Sequence, residues 1–288
     1  MEQLQALLRC PRCGSPVDLA DEAVCSQGHR FEVADGIPVF IDDDTIASDP
    51  QYASQRVYFD AEFRNYERYA LESWRLAYLD RLRAAGLLDG TAPLVDVGVG
   101  GSGYTVIEAA RAGRRAVGCD LSLDGVLAAR ELARSEGVAE RTLWICCSAE
   151  RLPLATGAFG SALAIAVLEH VPDDAAALRE LARVLEPGGC AWVTVPHALR
   201  HVPRLLRGVN RRHDRRLGHL RRYEADELSA PGLEAVDIQY TGHAVKLLQI
   251  AAPWAGDRIW SWSERRDMRR KRVRRGSMQL SIVLRRTE

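Results

Sequence analysis

The chain has 288 residues, a formal net charge of zero and 47% hydrophobic residues. This length allows one large domain and one small domain, and the apolar content supports a sizeable core. No apolar run reaches the roughly 18 residues that a membrane helix needs. The first residues show no basic and apolar secretory leader, so we expect a cytoplasmic protein.

The zero net charge conceals an uneven distribution of charge. Residues 197–288 contain 21 Lys and Arg residues against 10 Asp and Glu residues. A basic half of this kind could face a phosphate-bearing partner. However, all but two of the 39 basic residues are arginines. In a chain with this composition, exposed surfaces carry arginine whether or not they bind a partner. Composition therefore leaves both interpretations open.

Four residues of metal-ligand type occur near the start of the chain. Cys10 and Cys13 form one pair, and Cys25 and His29 form a second. Three thiolates and one imidazole complete the tetrahedral set of a structural zinc ion and leave no open position for catalysis. We therefore predict a zinc ribbon over residues 1–41 whose folding depends on the metal. The alternative is a metal-free loop with incidental cysteines.

Residues 42–90 are predicted to form a linker followed by helices. Residues 42–50 are acidic and rich in turn-forming residues. After them, apolar side chains recur at spacings of three and four, which predicts one face of a helix that covers the sheet. The residues of this face are Phe59, Phe63, Tyr66, Ala70, Trp74, Tyr78 and Leu82.

The segment from Leu94 to Tyr104 carries the most informative pattern. An apolar run ends at Asp96, a glycine-rich turn follows, and a helix-like sequence comes next. Strand, glycine turn and helix in this order open a nucleotide-binding α/β fold. Asp120 ends the next apolar run, about where an acidic residue binds a ribose hydroxyl. The glycine spacing by itself also fits an NAD-binding domain.

Five ordered motifs between Asp96 and Gly189 resemble those of class I S-adenosylmethionine (SAM)-dependent methyltransferases of the type 11 kind. The motifs are Asp96–Gly100, Gly118–Ser122, Cys147–Pro153, Phe159–Asp173 and Arg183–Gly189. The Leu168-Glu-His170 and Glu186-Pro-Gly-Gly189 segments favour this family over an NAD-binding domain. The resemblance implies SAM as cofactor, with Asp96, Gly98, Gly100, Gly101, Asp120, Leu121, Ala149, Glu150 and Ala166 as its binding residues.

Alternating strands and helices predict a mostly parallel sheet with helices on both faces. The resemblance implies a Rossmann-like methyltransferase domain over residues 91–288 whose final strand is antiparallel. In such a sheet, ligands bind at the carboxyl ends of the strands. The resemblance further implies that aromatic residues before the first strand close over the cofactor as a lid, here Tyr58, Phe59 and Tyr66.

Two histidines are candidates for the general base. His170 follows the predicted fourth strand and His197 follows the fifth, and histidine titrates near working pH. A base is needed only where the acceptor loses a proton, because the sulfonium of SAM is already an activated methyl donor. No Asn-Pro-Pro-Tyr or Asp-Pro-Pro-Tyr sequence follows the fourth strand, which argues against the exocyclic-amine methyltransferases.

Residues 197–232 are predicted to be a basic insert on the acceptor side. Gly218–Tyr223 resembles a segment that lies over the acceptor pocket in methyltransferases acting on sugars, lipids and secondary metabolites. The resemblance makes His219, Arg222 and Tyr223 acceptor-binding candidates. A solvated basic helix is the alternative interpretation of this insert.

Three functions remain open from the sequence. The first is methyl transfer to an O or N atom of a small molecule, natural product or glycoconjugate, with a peptide as a further candidate acceptor. The second is rRNA guanine N-methylation, because residues 1–41 resemble the zinc ribbon of bacterial rRNA guanine methyltransferases and the second half is basic. The third is an inactive zinc-ribbon scaffold. The oligomeric state is not predicted.

Overall fold

The computed structural model describes residues 2–41, 49–63, 68–246, 254 and 256–287. The predicted linker residues 42–48 and the lid candidate Tyr66 lie outside these residues. In the described part of the chain, no helix combines the length and the apolar character needed to cross a membrane.

The N-terminal module consists of a short helix and five short strands. Its elements are α1 Glu2–Gln5, β1 Val17–Leu19, β2 Ala23–Cys25, β3 Arg30–Phe31, β4 Val33–Ala34 and β5 Ile37–Pro38. Strands β1, β2 and β3 form an antiparallel sheet, and β4 pairs with β5 as a separate hairpin. Short strands flank the cysteine and histidine positions.

The N-terminal module packs directly against the rest of the protein. Leu4 and Leu8 are fully buried in the same core as the main sheet. Leu8 forms a β-bridge with Leu154, and Val39 forms a parallel bridge with Cys146. The backbone N–H of Phe40 donates to the carbonyl of Cys146 at 2.8 Å. The module is therefore joined to the main sheet by both apolar packing and backbone hydrogen bonds.

In the described residues, two helices lie between the N-terminal module and the main sheet, α2 Pro50–Phe63 and α3 Ser73–Ala84. The predicted single helical face from Phe59 to Leu82 is wrong, because residues 68–72 between these helices are not helical. Glu72 has an extended backbone (φ −66°, ψ 157°) and caps the start of α3. The apolar spacing of three and four thus arises from two separate helices.

The main sheet has seven strands in the order β11-β12-β10-β9-β6-β7-β8. Their bounds are β6 Leu94–Val97, β7 Ala116–Asp120, β8 Thr142–Cys146, β9 Phe159–Ile165, β10 Leu185–Pro196, β11 Leu233–Thr241 and β12 Gln279–Arg286. Strand β12 runs antiparallel to both neighbours, and the pairs among β6 to β10 are parallel. The predicted Rossmann-like sheet with an antiparallel last strand is confirmed.

The part of the chain that the structure describes contains five further α-helices. They are α4 Tyr104–Arg111, α5 Leu123–Ser135, α6 Asp174–Val184, α7 Arg207–Leu217 and α8 Gly256–Met268. Helices α5 and α6 begin at side-chain caps: Ser122 accepts from the N–H of Gly125 at 3.0 Å, and Asp173 accepts from the N–H of Ala176 at 2.8 Å. Such caps satisfy backbone donors that a helix leaves free. They fix where each helix leaves the carboxyl end of the preceding strand.

Candidate functional site

A cavity of about 200 Å³ lies at the carboxyl ends of β6, β7, β8 and β9. Strand ends and the loops that follow them form its floor, and α2 covers it. Five of the predicted cofactor residues line it, namely Gly98, Asp120, Leu121, Ala149 and Ala166. Helix α2 contributes Tyr52, Gln55, Phe59 and Phe63. The cavity is therefore where the sequence predicted a ligand, with a helical lid over it.

The glycine turn after β6 depends on the absence of side chains. Gly98 has a left-handed backbone (φ 74°), and a Cβ there would overlap Val167. Gly103 is also left-handed (φ 55°), and a Cβ on it would lie 2.7 Å from the ring of Trp144. The turn can therefore approach Val167 of the loop after β9 and Trp144 of β8 only with glycine at these two positions.

Two buried carboxyl groups lie below this turn. Asp96 is 3% exposed and accepts a hydrogen bond from the Thr105 hydroxyl. Its other oxygen has no partner among the described residues. Asp120 accepts from the backbone N–H of Gly100 at 2.8 Å and from that of Ser122 at 2.9 Å. Burial raises the pKa of Asp96 to about 7 and that of Asp120 to about 6. A ligand that brings hydrogen-bond donors or positive charge would therefore stabilise the ionised form of both carboxyl groups.

Ala166 lines the cavity in a strained conformation. It is one of two described non-glycine residues with positive φ, at 57°. Its backbone N–H donates to the carbonyl of Thr194 at 2.8 Å, which holds the turn after β9 in place. Strain of this kind costs about 1–3 kcal/mol and clusters at functional sites. The positive φ of Ala166 could not be predicted, because alanine carries no local signal for a left-handed backbone.

Glu150 fastens the lid instead of lining the cavity. Its carboxylate accepts from the Tyr52 hydroxyl and from the backbone N–H of Asp173, the latter at 2.6 Å. The Tyr52 hydroxyl also lies 2.7 Å from the Ser148 hydroxyl. Sequence reasoning missed Tyr52 and Gln55, although both precede Phe59 at helical spacing and that pattern could have found them.

His170 is the candidate base that the structure places at the cavity. Its ring centroid lies 5.3 Å from that of Phe59 and 4.7 Å from that of His219. Burial lowers the pKa of His170 to about 3, so the imidazole is neutral at physiological pH. A neutral ring in this wall can accept a hydrogen bond from a bound hydroxyl or amine. His219 does not line the cavity itself but packs behind His170.

His197 does not line the cavity. Its side chain is fully buried, stacks on His201 with ring centroids 4.3 Å apart, and lies 2.6 Å from the Ser277 hydroxyl. Burial lowers its pKa to about 4. His201 in turn lies 2.9 Å from Glu224. The residue therefore belongs to a buried polar cluster beside β10.

Arg222 and Tyr223 support the cavity wall from behind. Arg222 donates to both oxygens of Asp214, at 2.7 and 2.8 Å, and to the carbonyl of His197 at 2.9 Å. The Tyr223 hydroxyl donates to the carbonyl of Leu168 at 2.9 Å. The Arg222 bonds hold the predicted acceptor-side insert together, and the Tyr223 bond fastens it to the loop after β9.

The predicted metal ligands of the N-terminal module come together. The Nδ1 atom of His29 lies 3.5 Å from Sγ of Cys10 and 3.4 Å from Sγ of Cys25. The Sγ atoms of Cys13 and Cys25 are 3.7 Å apart. Tetrahedral zinc, with bonds of about 2.3 Å to sulfur and about 2.0 Å to nitrogen, requires separations of about 3.5–3.8 Å. These four side chains could therefore hold a zinc ion with little movement.

Residues 95–193 match the family described as methyltransferase domain. The methyltransferase GfsG of Streptomyces halstedii is 35% identical over 96 residues, which are 33% of this chain and 34% of that protein. A ubiquinone biosynthesis O-methyltransferase of Xanthomonas oryzae pv. oryzae is 34% identical over 133 residues, covering 46% of this chain and 53% of that protein. The chain spans between about a third and a half of the length of these curated relatives.

Solved structures share the fold over more of the chain. The [4+2]-cyclase SpnF aligns with a TM-score of 0.55 and 22% identity, covering 87% of this chain and 98% of that one. Geranyl diphosphate C-methyltransferase from Streptomyces coelicolor A3(2), solved with Mg²⁺, geranyl diphosphate and S-adenosyl-L-homocysteine, aligns with a TM-score of 0.59 and 17% identity, covering 83% and 99%. Identities this low establish only the fold. Residues 95–193 thus match a methyltransferase domain, and the chain shares the Rossmann-like fold of these solved structures.

Proposed function

We propose that the protein transfers a methyl group from SAM to an O or N atom of a small molecule, natural product or glycoconjugate, with a peptide as a further candidate. The observation that carries this proposal is the small cavity at the ends of β6–β9, which α2 covers with Tyr52, Gln55, Phe59 and Phe63. A covered pocket suits an acceptor that can be enclosed. It suits a base in a folded RNA less well.

SAM would lie along the residues that line the floor of the cavity. Asp120 would accept hydrogen bonds from the ribose hydroxyls in place of the N–H of Gly100, its present donor. Asp96 would face the amino-acid end, where a positively charged ammonium favours the ionised carboxylate. Ala149 would meet the adenine and Ala166 the methionine part. Glu150 would act through Tyr52, by holding the lid closed.

Catalysis would depend mainly on placement. The acceptor lone pair must lie in line with the methyl group, about 3–3.5 Å from it. His170 lines the cavity as a neutral imidazole and would orient an acceptor hydroxyl or take up its proton. The C–S bond of SAM breaks as the new bond to the acceptor forms, which leaves neutral S-adenosyl-L-homocysteine.

The N-terminal module would carry structural zinc. The ligand separations fit a tetrahedral ion, and three thiolates with one imidazole are typical of closed structural sites. Because this module pairs with β8, the metal would also stabilise that edge of the sheet. This role in folding does not depend on a contact of the module with an acceptor or a partner.

A second candidate is RNA methylation, which one surface favours. A groove beside the insert is lined by Arg200, Arg204, Arg207, Arg270 and Arg275. Arginines attract phosphate, and phosphate contacts dominate nucleic-acid affinity. No Phe, Tyr or Trp side chain of the described residues lines this groove, and only His201 and His243 offer rings for base stacking, which weakens the RNA candidate. The inactive-scaffold alternative predicts no methyl transfer at all.

The test uses methyl-labelled SAM with the full chain and a host-cell extract, followed by separation of RNA, protein and small molecules. Label in small molecules or glycoconjugates, absent with Asp120→Asn but present with the exposed control Asp80→Asn, supports the proposal. Label in ribonuclease-sensitive material would replace it with RNA methylation. Lack of both labelling and SAM binding would support the scaffold alternative.

A further inference from the structure

Two successive residues of the loop after β9 have buried polar atoms without a partner. Glu169 is 1% exposed, and its Oε2 atom has no hydrogen-bond partner among the described residues. The Nδ1 atom of the next residue, His170, is likewise buried and unpartnered. An isolated carboxylate in the interior is costly unless a cation or donors compensate it. A proton on Glu169 would satisfy the carboxyl group but would leave the His170 nitrogen without a partner.

A third group from a distant part of the chain completes the cluster. One ligand atom each from Glu169, His170 and His219 lie within 4.8 Å of one another. His219 makes a 2.9 Å hydrogen bond through Nδ1 to Asp214, and Asp214 is itself held by Arg222 at 2.7 Å. A carboxylate on one ring nitrogen leaves the other nitrogen free and is the usual support of a metal-binding histidine.

We propose that Glu169, His170 and His219 form a binding site for a divalent metal ion in the wall of the cavity. Two imidazoles and one carboxylate are a ligand set for first-row ions such as Mn²⁺, Fe²⁺ or Zn²⁺, with positions left for other ligands. This set differs from the thiolate-rich cluster of the N-terminal module, which selects softer ions. The proximity of the three ligand atoms supports this site.

The position of this site suits an ion that activates the methyl acceptor, a role that rests on the proposed function. His170 also lines the cavity, so an ion bound to it would lie beside the acceptor. A divalent ion there would bind an acceptor oxygen and make its hydroxyl more acidic. His170 would then act as a metal ligand, and the proton of the acceptor would go to water. An acceptor with adjacent oxygen atoms would fit best, because it could occupy two open positions.

The ion would also link three segments around the cavity. His219 follows Gly218, whose carbonyl accepts from the Gln51 side chain of α2 at 2.9 Å. The backbone N–H of Leu220 donates to the carbonyl of Glu169 at 2.7 Å. Metal binding would therefore stabilise the lid helix, the insert and the loop after β9 against one another.

The test titrates Mn²⁺ into the full chain loaded with one equivalent of Zn²⁺, which the thiolate-rich cluster takes up first, and follows free Mn²⁺ by electron paramagnetic resonance. Mn²⁺ suits carboxylate and water ligands and not thiolates. We expect one bound ion in the unmodified chain. Glu169→Gln and His219→Ala should weaken binding at least about tenfold, as loss of a ligand or its support does. The matched control is His213→Ala, which removes an exposed histidine of α7 whose ring lies 6.0 Å from that of His219 but which is outside the cluster.

Far-ultraviolet circular dichroism shows whether each variant is folded, and calorimetry on the same samples measures binding of S-adenosyl-L-homocysteine. Absence of Mn²⁺ binding in the unmodified chain would overturn the proposal, as would equal Mn²⁺ binding by both cluster variants. Mn²⁺ binding without any cofactor binding would overturn the proposed function but leave the metal site standing.

Discussion

Replacing Gly98 with alanine should both destabilise the protein and weaken cofactor binding. Gly98 has a φ of 74°, and an alanine there costs about 1–2 kcal/mol in backbone strain. The new Cβ would also overlap one methyl group of Val167 and lie 3.3 and 3.4 Å from two more of its carbons. Valine is stiff at χ1, so this overpacking adds about 1–3 kcal/mol. We expect a total loss of about 2–5 kcal/mol in the free energy of unfolding.

A matched control separates strain from overlap. Gly113 also has positive φ (90°), but a Cβ there meets nothing within 4 Å. Gly113→Ala should therefore cost only the strain, about 1–2 kcal/mol. Combining Gly98→Ala with Val167→Ala removes the overlap, so the double variant should be more stable than the sum of the single effects by about 1–3 kcal/mol. Urea unfolding gives these free energies, and calorimetry with S-adenosyl-L-homocysteine gives the affinity. Equal losses for Gly98→Ala and Gly113→Ala, with additive effects in the double variant, would refute the reasoning.

Four further outcomes are expected. Asp120→Asn should weaken SAM binding by about 10- to 150-fold in calorimetry, the loss of a hydrogen bond to a charged group; unchanged affinity would remove Asp120 from the cofactor site. Because burial raises the pKa of Asp96 from 3.8 to about 7, the ligand-free protein should lose stability as the pH rises through that range. The Asp96→Asn variant should show a weaker dependence of unfolding free energy on pH in urea unfolding. A stability that rises with pH over this range would contradict the prediction. Ala166→Gly should stabilise the fold by about 1 kcal/mol through relief of its positive φ, and a loss of stability in urea would count against strain there. Chelation should release one zinc ion per chain and lower the unfolding midpoint, because the metal supplies folding free energy; an unchanged midpoint would show that the N-terminal module folds without it.

Much of the fold could be predicted because the residues that define it act locally. The strand, glycine turn and helix around Gly98 follow from apolar runs and from glycines at positions with positive φ. The last two strands could be predicted from alternating apolar and polar residues, with Val236, Ile238 and Tyr240 in one and Leu280, Ile282 and Leu284 in the other. The four metal-ligand residues of the N-terminal module could be predicted as a set, because their chemistry has few other uses at that spacing.

The parts that could not be predicted depend on direction and distance. His197 follows the end of β10, but successive side chains of a strand point to opposite faces, and its position alone does not say which. Its ring points into the cluster with His201 and away from the cavity. The sequence pattern could not separate α2 from α3, because two short helices can together show the same apolar spacing as one long helix. Glu169 and His219 lie close together in the fold but are 50 positions apart in the sequence. No local sequence pattern can predict such a contact.

The pairing of Val39 and Phe40 with Cys146 also bears on how the protein behaves in concentrated solution. Strand β8 is an outer strand of the main sheet, and without this partner the backbone at its last residue, Cys146, would also be open to a strand from another molecule. Exposed edges of this kind start intermolecular β-pairing and aggregation. Metal occupancy of the N-terminal module should therefore decide solubility as well as folding, and metal-poor preparations should precipitate through β8 before the main domain unfolds.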